Sequence, residues 1–372
     1  MPLNFAARDW RELEFVAWSF SRSLMQDIET VTPHHPLEEF SSIVDVRTPP
    51  EFAEDHLPGA INLPVLTTAQ RVEVGTLYKQ DPFAARIMGA RYISLNAADH
   101  LLTLEGQWDR HAQPLLYCWR GGLRSHSLAH ILRSVGWRAR LLEGGYKAYR
   151  KFVLADSDER LTRGGLHFHV LAGLTGTGKT RLLHHLSRAG AQVLDLEQLA
   201  NHRGSLLGNL GPQPSQKLFE NRLHQALATM RAHSPIFVEA ESNRIGQCHL
   251  PAPLWQRLAE APVTEVRLPL PHRARLLLQD YPRFLDNPQE LMNLLDKLRP
   301  LRGNEQVNRW HEHILAKDWP AFLESVLRDH YDPAYRAAGE KDSNYRKPDA
   351  VLALADDSPT TFAKATRQLL AP

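Results

Sequence analysis

His167-Phe168-His169-Val170-Leu171-Ala172-Gly173-Leu174-Thr175-Gly176-Thr177-Gly178-Lys179-Thr180 is the stretch that decides the fold. His167 to Ala172 reads as a strand, Gly173 to Gly178 as a glycine-rich loop, and Thr180 to Arg188 as a helix stopped near Gly190. The loop fits G-x-x-x-x-G-K-[ST] at every fixed position, in the strand–loop–helix context that gives the motif its meaning. Backbone N–H groups of residues 176–180 would then converge at a helix N-terminus, which suits a diphosphate. Gly173, Gly176, Thr177, Gly178, Lys179 and Thr180 are the candidate diphosphate-binding residues. Lys179 would oppose the charge of the terminal phosphate, and Thr180 could hold Mg²⁺.

Val193-Leu194 and Ile236-Phe237-Val238 read as further strands of the same unit. The second ends in Glu239-Ala240-Glu241, as an acidic metal-binding strand end would. Asp195, Glu239 and Glu241 are the candidate Mg²⁺ or acid/base carboxylates, with Glu197 a rival. A helix cap or a surface ion pair is the plainer reading for each. No dedicated metal cluster is expected. His126 and His130 lie one helical turn apart, but no Cys or carboxylate joins them at zinc spacing. From about Trp255 onward the pattern reads as largely helical.

The N-terminal half has the same alternation. Ile43-Val44-Asp45-Val46, Leu115-Leu116-Tyr117 and Leu141-Leu142 read as strands, and Ile61-Asn62-Leu63-Pro64 as a short extended piece. Residues 65–110 read as mainly helical. Leu128, Ile131, Leu132 and Val135 mark one helix face, ended at Gly136. Strands alternating with helices indicate a parallel α/β sheet. Between strand and helix lies Cys118-Trp119-Arg120-Gly121-Gly122-Leu123-Arg124. A loop feeding a helix aims N–H groups at one point, which favours an anion and lowers the pKa of a cysteine held there. Cys118 is the candidate nucleophile. Arg120, Gly121, Gly122 and Arg124 form its anion loop, the arginines as charge-assisted donors.

Composition sets the outer limits. At 372 residues two domains are expected. The 43% hydrophobic and 23% charged content fits a globular chain with little long disorder. No apolar run reaches the roughly 18 residues of a membrane-spanning helix. Only two cysteines, Cys118 and Cys248, are present, so no disulfide framework exists and a cytoplasmic location is expected. The net charge of +2 means that any nucleic-acid binding must rest on a local basic patch. Residues 1–30 form an extension to which no role is assigned. Glu12 and Glu14 break any signal-peptide pattern, Trp10, Phe15 and Trp18 would suit an amphipathic helix, and Met25 is an alternative start. The expected units are residues 31–155, a polar linker at 156–164, and residues 165–372.

Residues 35–152 resemble the rhodanese family. The resemblance rests on Asp45-Val46-Arg47 with Glu51-Phe52, His56-Leu57-Pro58-Gly59-Ala60-Ile61-Asn62-Leu63-Pro64, the Cys118 loop and Leu142-Glu143-Gly144-Gly145-Tyr146. It implies a rhodanese-like parallel-sheet domain followed by a P-loop NTPase-like α/β domain with a helical C-terminal region. Cys118 would carry a transferable sulfur or selenium, while Asp45 and Arg47 read as structural anchors. The Cys-x5-Arg spacing also resembles phosphatases of the rhodanese fold, and the wider loop suits a phosphate-like group, selenophosphate included.

Further segments narrow the resemblance. They are Val74-Gly75-Thr76-Leu77-Tyr78-Lys79-Gln80, Asp195 through Ser205, Ser215-Gln216 with Phe219-Glu220, Glu239 through Gly246, and Tyr331-Asp332-Pro333-Ala334-Tyr335-Arg336. Together they are similar to the tRNA 2-selenouridine synthases over nearly the whole chain after residue 35. The resemblance implies a transferase acting on wobble 2-thiouridine in the anticodon loop of tRNA. Geranyl diphosphate would alkylate the sulfur, and selenium from selenophosphate would then displace it through an S-selanyl group on Cys118. It implies no tightly bound cofactor, Mg²⁺ as a candidate ion, a selenophosphate-supplying enzyme as a candidate partner and no membrane association. His202, Arg203 and Arg244 are candidate RNA or phosphate contacts. The alternatives are a rhodanese-fold phosphatase or sulfurtransferase fused to a small-molecule kinase, and a nucleotide-sensing module in which Cys118 is dispensable.

Overall fold

The computed structural model describes residues 28–202, 211–280, 282–335 and 347–371. The readings that fall on residues 1–27, on Arg203 and on Arg336 lie outside these. The chain divides into two compact units, Met1–Asp156 and Ser157–Pro372.

In the first unit, strands β1 (Thr30–Val31), β2 (Ser42–Asp45), β3 (Ala60–Asn62), β4 (Pro114–Tyr117) and β5 (Arg140–Leu142) form one sheet in the order β1-β5-β4-β2-β3. Every pairing is parallel. Thr30 and Val31 pair with Leu141 and Leu142, so the sheet already includes the end of the stretch read as an extension. Central β4 is buried along its whole length. Its residues alternate between two cores, as successive strand residues must. Leu116 faces Leu128, Leu132 and Ile93, whereas Leu115 and Tyr117 face Tyr146, Tyr149 and Val153. The helices over these faces are α1 (Pro49–Glu54), α2 (Thr68–Tyr78), α3 (Pro82–Leu104), α4 (Leu123–Val135) and α5 (Gly145–Arg163).

Local sequence explains the helix starts. Thr48 with Glu51, and Thr67 with Gln70, close reciprocal capping boxes. Asp81 accepts from two N–H groups of the α3 first turn, with Pro82 as its first residue. The stretch 156–164 differs from its reading as a linker: residues 156–163 are the last two turns of α5. Its charges sit on an exposed helix face, and composition alone does not separate that from a loop.

Among the described residues of the second unit, five parallel strands, β6 (His167–Ala172), β7 (Gln192–Leu194), β8 (Pro235–Glu239), β11 (Val263–Arg267) and β12 (Ala350–Ala353), lie in the order β12-β11-β6-β8-β7. The short β9 (Arg244–Ile245) and β10 (Cys248–His249) pair antiparallel. Helix α6 (Lys179–Arg188) follows the glycine loop, and α7 (Leu196–Ala200), α8 (Gln216–Ala228) and α9 (Ala252–Glu260) follow later. The described residues between 270 and 326 are mostly helical, as expected, in a series of helices from Leu270–Asp280 to Trp319–Val326, and Leu291, Leu295, Trp310, Ile314, Phe322 and Val326 give that part its own core. Two strands interrupt the helical pattern expected after Trp255. Val263-Thr264-Glu265-Val266-Arg267 alternates with charge, and Ala350-Val351-Leu352-Ala353 is short, so neither stood out. Among the described residues, no helix is long and apolar enough to cross a membrane.

A buried ion pair ties the edge of the first sheet. Arg47 is fully buried; its Nη2 donates to Asp45 at 2.6 Å and to the Asp55 carbonyl at 2.6 Å, and its guanidinium lies 4.0 Å from the Tyr146 ring centre. Arg47→Ala would leave Asp45 charged and unpaired in the interior. It should lower the stability of this unit by about 3–5 kcal/mol, measured by denaturant unfolding of the full chain followed in its first unit; an unchanged midpoint would show that the pair is solvated in solution.

Candidate functional site

Cys118 leaves the carboxyl end of β4, the position where open parallel sheets bind ligands. Its Sγ accepts the N–H of Gly122 at 3.1 Å and the hydroxyl of Ser125 at 3.3 Å. Burial is the largest influence on the thiol and opposes ionisation. The Ser125 hydroxyl and the N–H groups of Ser125, Arg120 and Gly122 outweigh it, so the pKa lies below the ordinary cysteine value. Ser125, in the first turn of α4, was not foreseen from the sequence. A hydroxyl seven residues after a loop cysteine is the signal that would have found it.

The loop is braced from the next turn. The N–H groups of Tyr146 and Lys147 donate to the carbonyls of Cys118 and Trp119 at 2.9 and 3.0 Å. Gly145 has φ +60°, and a Cβ there would overlap the Cys118 carbonyl oxygen, so only glycine fits. Arg120 is exposed. Arg124 pairs with Glu51 at 3.2 Å, and Arg71 approaches the same carboxylate at 3.3 Å. Part of the Arg124 charge is thereby committed to a carboxylate.

The glycine loop of the second unit leaves β6. Lys179 Nζ donates to the Gly173 carbonyl at 2.9 Å, and the buried Thr177 hydroxyl donates to the Leu174 carbonyl at 2.9 Å. A Cβ at Gly173, φ +142°, would overlap the Val266 carbonyl oxygen of the adjacent β11. From outside, Arg273 Nε donates to the Thr175 carbonyl at 2.9 Å while its Nη1 and Nη2 grip Asp332 at 3.0 and 2.6 Å. This clasp gives Asp332 a structural use that sequence alone did not indicate.

The carboxylates sort themselves. Asp195 caps α7, accepting the Gln198 N–H at 2.8 Å, and lies 3.6 Å from His184. Glu197, Glu239 and Glu241 instead converge, with one carboxylate oxygen of each within 4.8 Å of the others. The expectation of no dedicated metal cluster therefore meets a set of three possible ligands, of which Glu197 had been only a rival. Helical turn α7 swings Glu197 back over the end of β8, a placement that no spacing along the chain reveals. Burial, then the proximity of Glu239 and Glu241, pushes Glu197 up to about 9. Burial and then Glu239 push Glu241 up to about 7. Glu239 is also raised, by burial foremost, against the pull of Lys179 and a Thr180 hydrogen bond.

His202 follows α7, its N–H donating to the Glu197 carbonyl at 3.0 Å; its pKa is lowered by burial. Arg244 Nε donates to the Gly246 carbonyl at 2.7 Å within the β9–β10 hairpin. Gln213 joins the two segments, donating to the Ala200 and Ile245 carbonyls at 3.0 and 3.1 Å. Cys248 is buried and its thiol is raised, first by burial, so it lacks the features of Cys118.

Comparison with known proteins gives these sites a context. Residues 33–152 match a family model described as a rhodanese-like domain, and residues 166–315 match one described as the tRNA 2-selenouridine synthase AAA domain. Proteins named tRNA 2-selenouridine synthase are similar over most of their length. The one from Marinobacter nauticus is 33% identical over 327 residues, covering 79% of this chain and 87% of that protein. Those from Pseudomonas fluorescens and Alcanivorax borkumensis are each 35% identical, covering 79% of this chain and 87% and 88% of their own.

The thiol geometry fixes a pH dependence. In a Cys248→Ala background, the Cys118 thiolate should form at a pH below that of a free cysteine. Ser125→Ala should move the midpoint upward, because it removes the strongest of the stabilising donors while burial remains. Thiolate absorbance titration reads both; an unshifted midpoint in the variant would remove Ser125 from the site.

Proposed function

The chain belongs to the tRNA 2-selenouridine synthase family, and on that premise we propose that it replaces the sulfur of wobble 2-thiouridine in tRNA with selenium. It is a transferase that modifies tRNA. In the first proposed step the base sulfur attacks geranyl diphosphate; an S–C bond forms, a C–O bond breaks and diphosphate leaves. In the second, selenium of selenophosphate, brought to the base by the Cys118 loop, adds at the base carbon; the C–S bond breaks and geranyl thiol leaves, and water then cleaves the Se–P bond so that phosphate and 2-selenouridine are released. Alkylation suits this order, since it converts the sulfur of a thiocarbonyl into a thiol leaving group.

The observation that carries the reading is the presence in one chain of a hydrogen-bonded thiol cradle at Cys118 and a complete phosphate loop at Lys179. The cradle favours a thiolate, the form that can hold a chalcogen. The phosphate loop offers backbone N–H groups and an ammonium to a departing diphosphate. Mg²⁺ held near Thr180 and the acidic strand end would supply further charge neutralisation. His202, Arg203 and Arg244 are the proposed RNA or phosphate contacts. The target base would leave its stack in the anticodon loop, where unstacking costs little. A cytoplasmic setting and a selenophosphate-supplying enzyme as partner complete the proposal.

The test is mass spectrometry of nucleosides from 2-thiouridine tRNA incubated with geranyl diphosphate and selenophosphate. Wild type should yield 2-selenouridine, and Cys118→Ala should stop at S-geranyl-2-thiouridine. Unchanged nucleosides with wild type would overturn the reading. Lys179→Ala should lose geranylation yet still selenate pre-geranylated RNA; the reverse pattern would move the phosphate loop to the selenium step.

A further inference from the structure

We propose that Glu197, Glu239 and Glu241 form a divalent-cation site assembled by the protein itself, able to hold its ion before any diphosphate arrives. The proposal rests on the reading of this unit as a phosphate site only for what the ion would do there. Two observations carry it. The first is convergence: oxygens of the three side chains lie within 4.8 Å of one another. Carboxylates around one Mg²⁺ or Ca²⁺, at about 2.0–2.6 Å from the ion, span a comparable distance. The second is an unmatched atom. Glu239 is 4% exposed, and its Oε1 has no hydrogen-bond partner. A buried carboxylate oxygen left without a donor costs free energy that coordination would recover.

The surroundings select the ligands. Asp195 is spent on the α7 cap and lies beside His184. Three carboxylates face the Lys179 ammonium, which itself donates to Gly173. The ammonium opposes the crowding of the three carboxyl groups only in part, and a dication at their centre would oppose it directly. The donor set is all oxygen, without His or Cys, so it suits a hard ion such as Mg²⁺ or Mn²⁺ rather than Zn²⁺. This differs from an ion carried in on the phosphates, for which one carboxylate and the Thr180 hydroxyl would suffice.

The full chain, in buffer free of phosphate and diphosphate, is titrated with Mn²⁺ alone, and free Mn²⁺ is read by electron paramagnetic resonance. Wild type should retain one Mn²⁺ per chain. Glu197→Gln, Glu239→Gln and Glu241→Gln should each weaken retention by about tenfold or more, on the scale of a lost metal-site contact. Lys179→Ala should bind at least as tightly, having lost a competing cation. Mn²⁺ should raise the melting temperature of wild type and not of the Glu239→Gln protein. If that variant fails to fold, the half-buried Glu241→Gln carries the same comparison. Retention only after diphosphate is added, or retention unchanged in the glutamine variants, would overturn the proposal. The assay contains no RNA and no prenyl donor, so its failure and the failure of the RNA-modification reading are separate results.

Discussion

Both reactive loops depend on a backbone carbonyl pressed against a glycine so closely that no side chain fits between. The Cys118 carbonyl meets Gly145, and the Val266 carbonyl meets Gly173. Each contact holds a loop at the carboxyl end of a parallel strand against the next element of its own unit. The strand direction then does the rest: a helix begins just beyond the loop, and its unpaired N–H groups face the site. At Cys118 they reach the sulfur; in the phosphate loop they lie between Gly173 and α6. A methyl group at either glycine would push the loop away from its brace, so the geometry of the sites is bound to the packing of the sheets.

Buried charge then stiffens what the glycines allow. In the first unit, Arg47 joins Asp45 to the Asp55 carbonyl and lies under Tyr146, whose hydroxyl donates to Asp55 at 2.7 Å. Tyr146 follows Gly145 and donates its N–H to Cys118, so the ion pair and the cysteine loop share one residue. In the second unit, the Arg273–Asp332 pair reaches the phosphate loop through the Thr175 carbonyl. Removing one partner of such a pair leaves an uncompensated charge inside. These buried arginines thus brace the loops from the interior.

The parts legible in the sequence were those in which local pattern and function coincide. The β6–loop–α6 motif was readable because its glycines, lysine and threonine each have a fixed geometric task. The β4–Cys118–α4 turn was readable for the same reason, and Asp45 with Arg47 proved the anchors expected of them. Long-range placement was not readable. Ser125 looked like any helix serine, and Asp332 showed no sign of its distant partner Arg273. Glu197 and Asp195 are two residues apart, and only the capping geometry of α7 sends one to a helix end and the other to Glu239 and Glu241. Strands β11 and β12 were lost among helices because a short, partly charged strand leaves little periodic signal.

The two sites treat negative charge in opposite ways, and the difference lies in the groups nearest each. Around Cys118 the close donors are neutral, a backbone N–H and a hydroxyl, while the nearby Arg124 is shared with Glu51. Neutral donors against the resistance of burial lower the thiol pKa without the full pull of an adjacent cation. That matters because nucleophilicity falls as a thiolate becomes more stable, so a strongly depressed pKa would yield an abundant but sluggish sulfur. Beside Lys179 the balance is reversed. A full positive charge stands near three converging carboxyl groups, two of them buried and one half-buried. A loop of N–H groups and one lysine, with acid close by, can bind a highly charged anion and still let it go. The thiol is thus met by neutral donors, and the ammonium by acid.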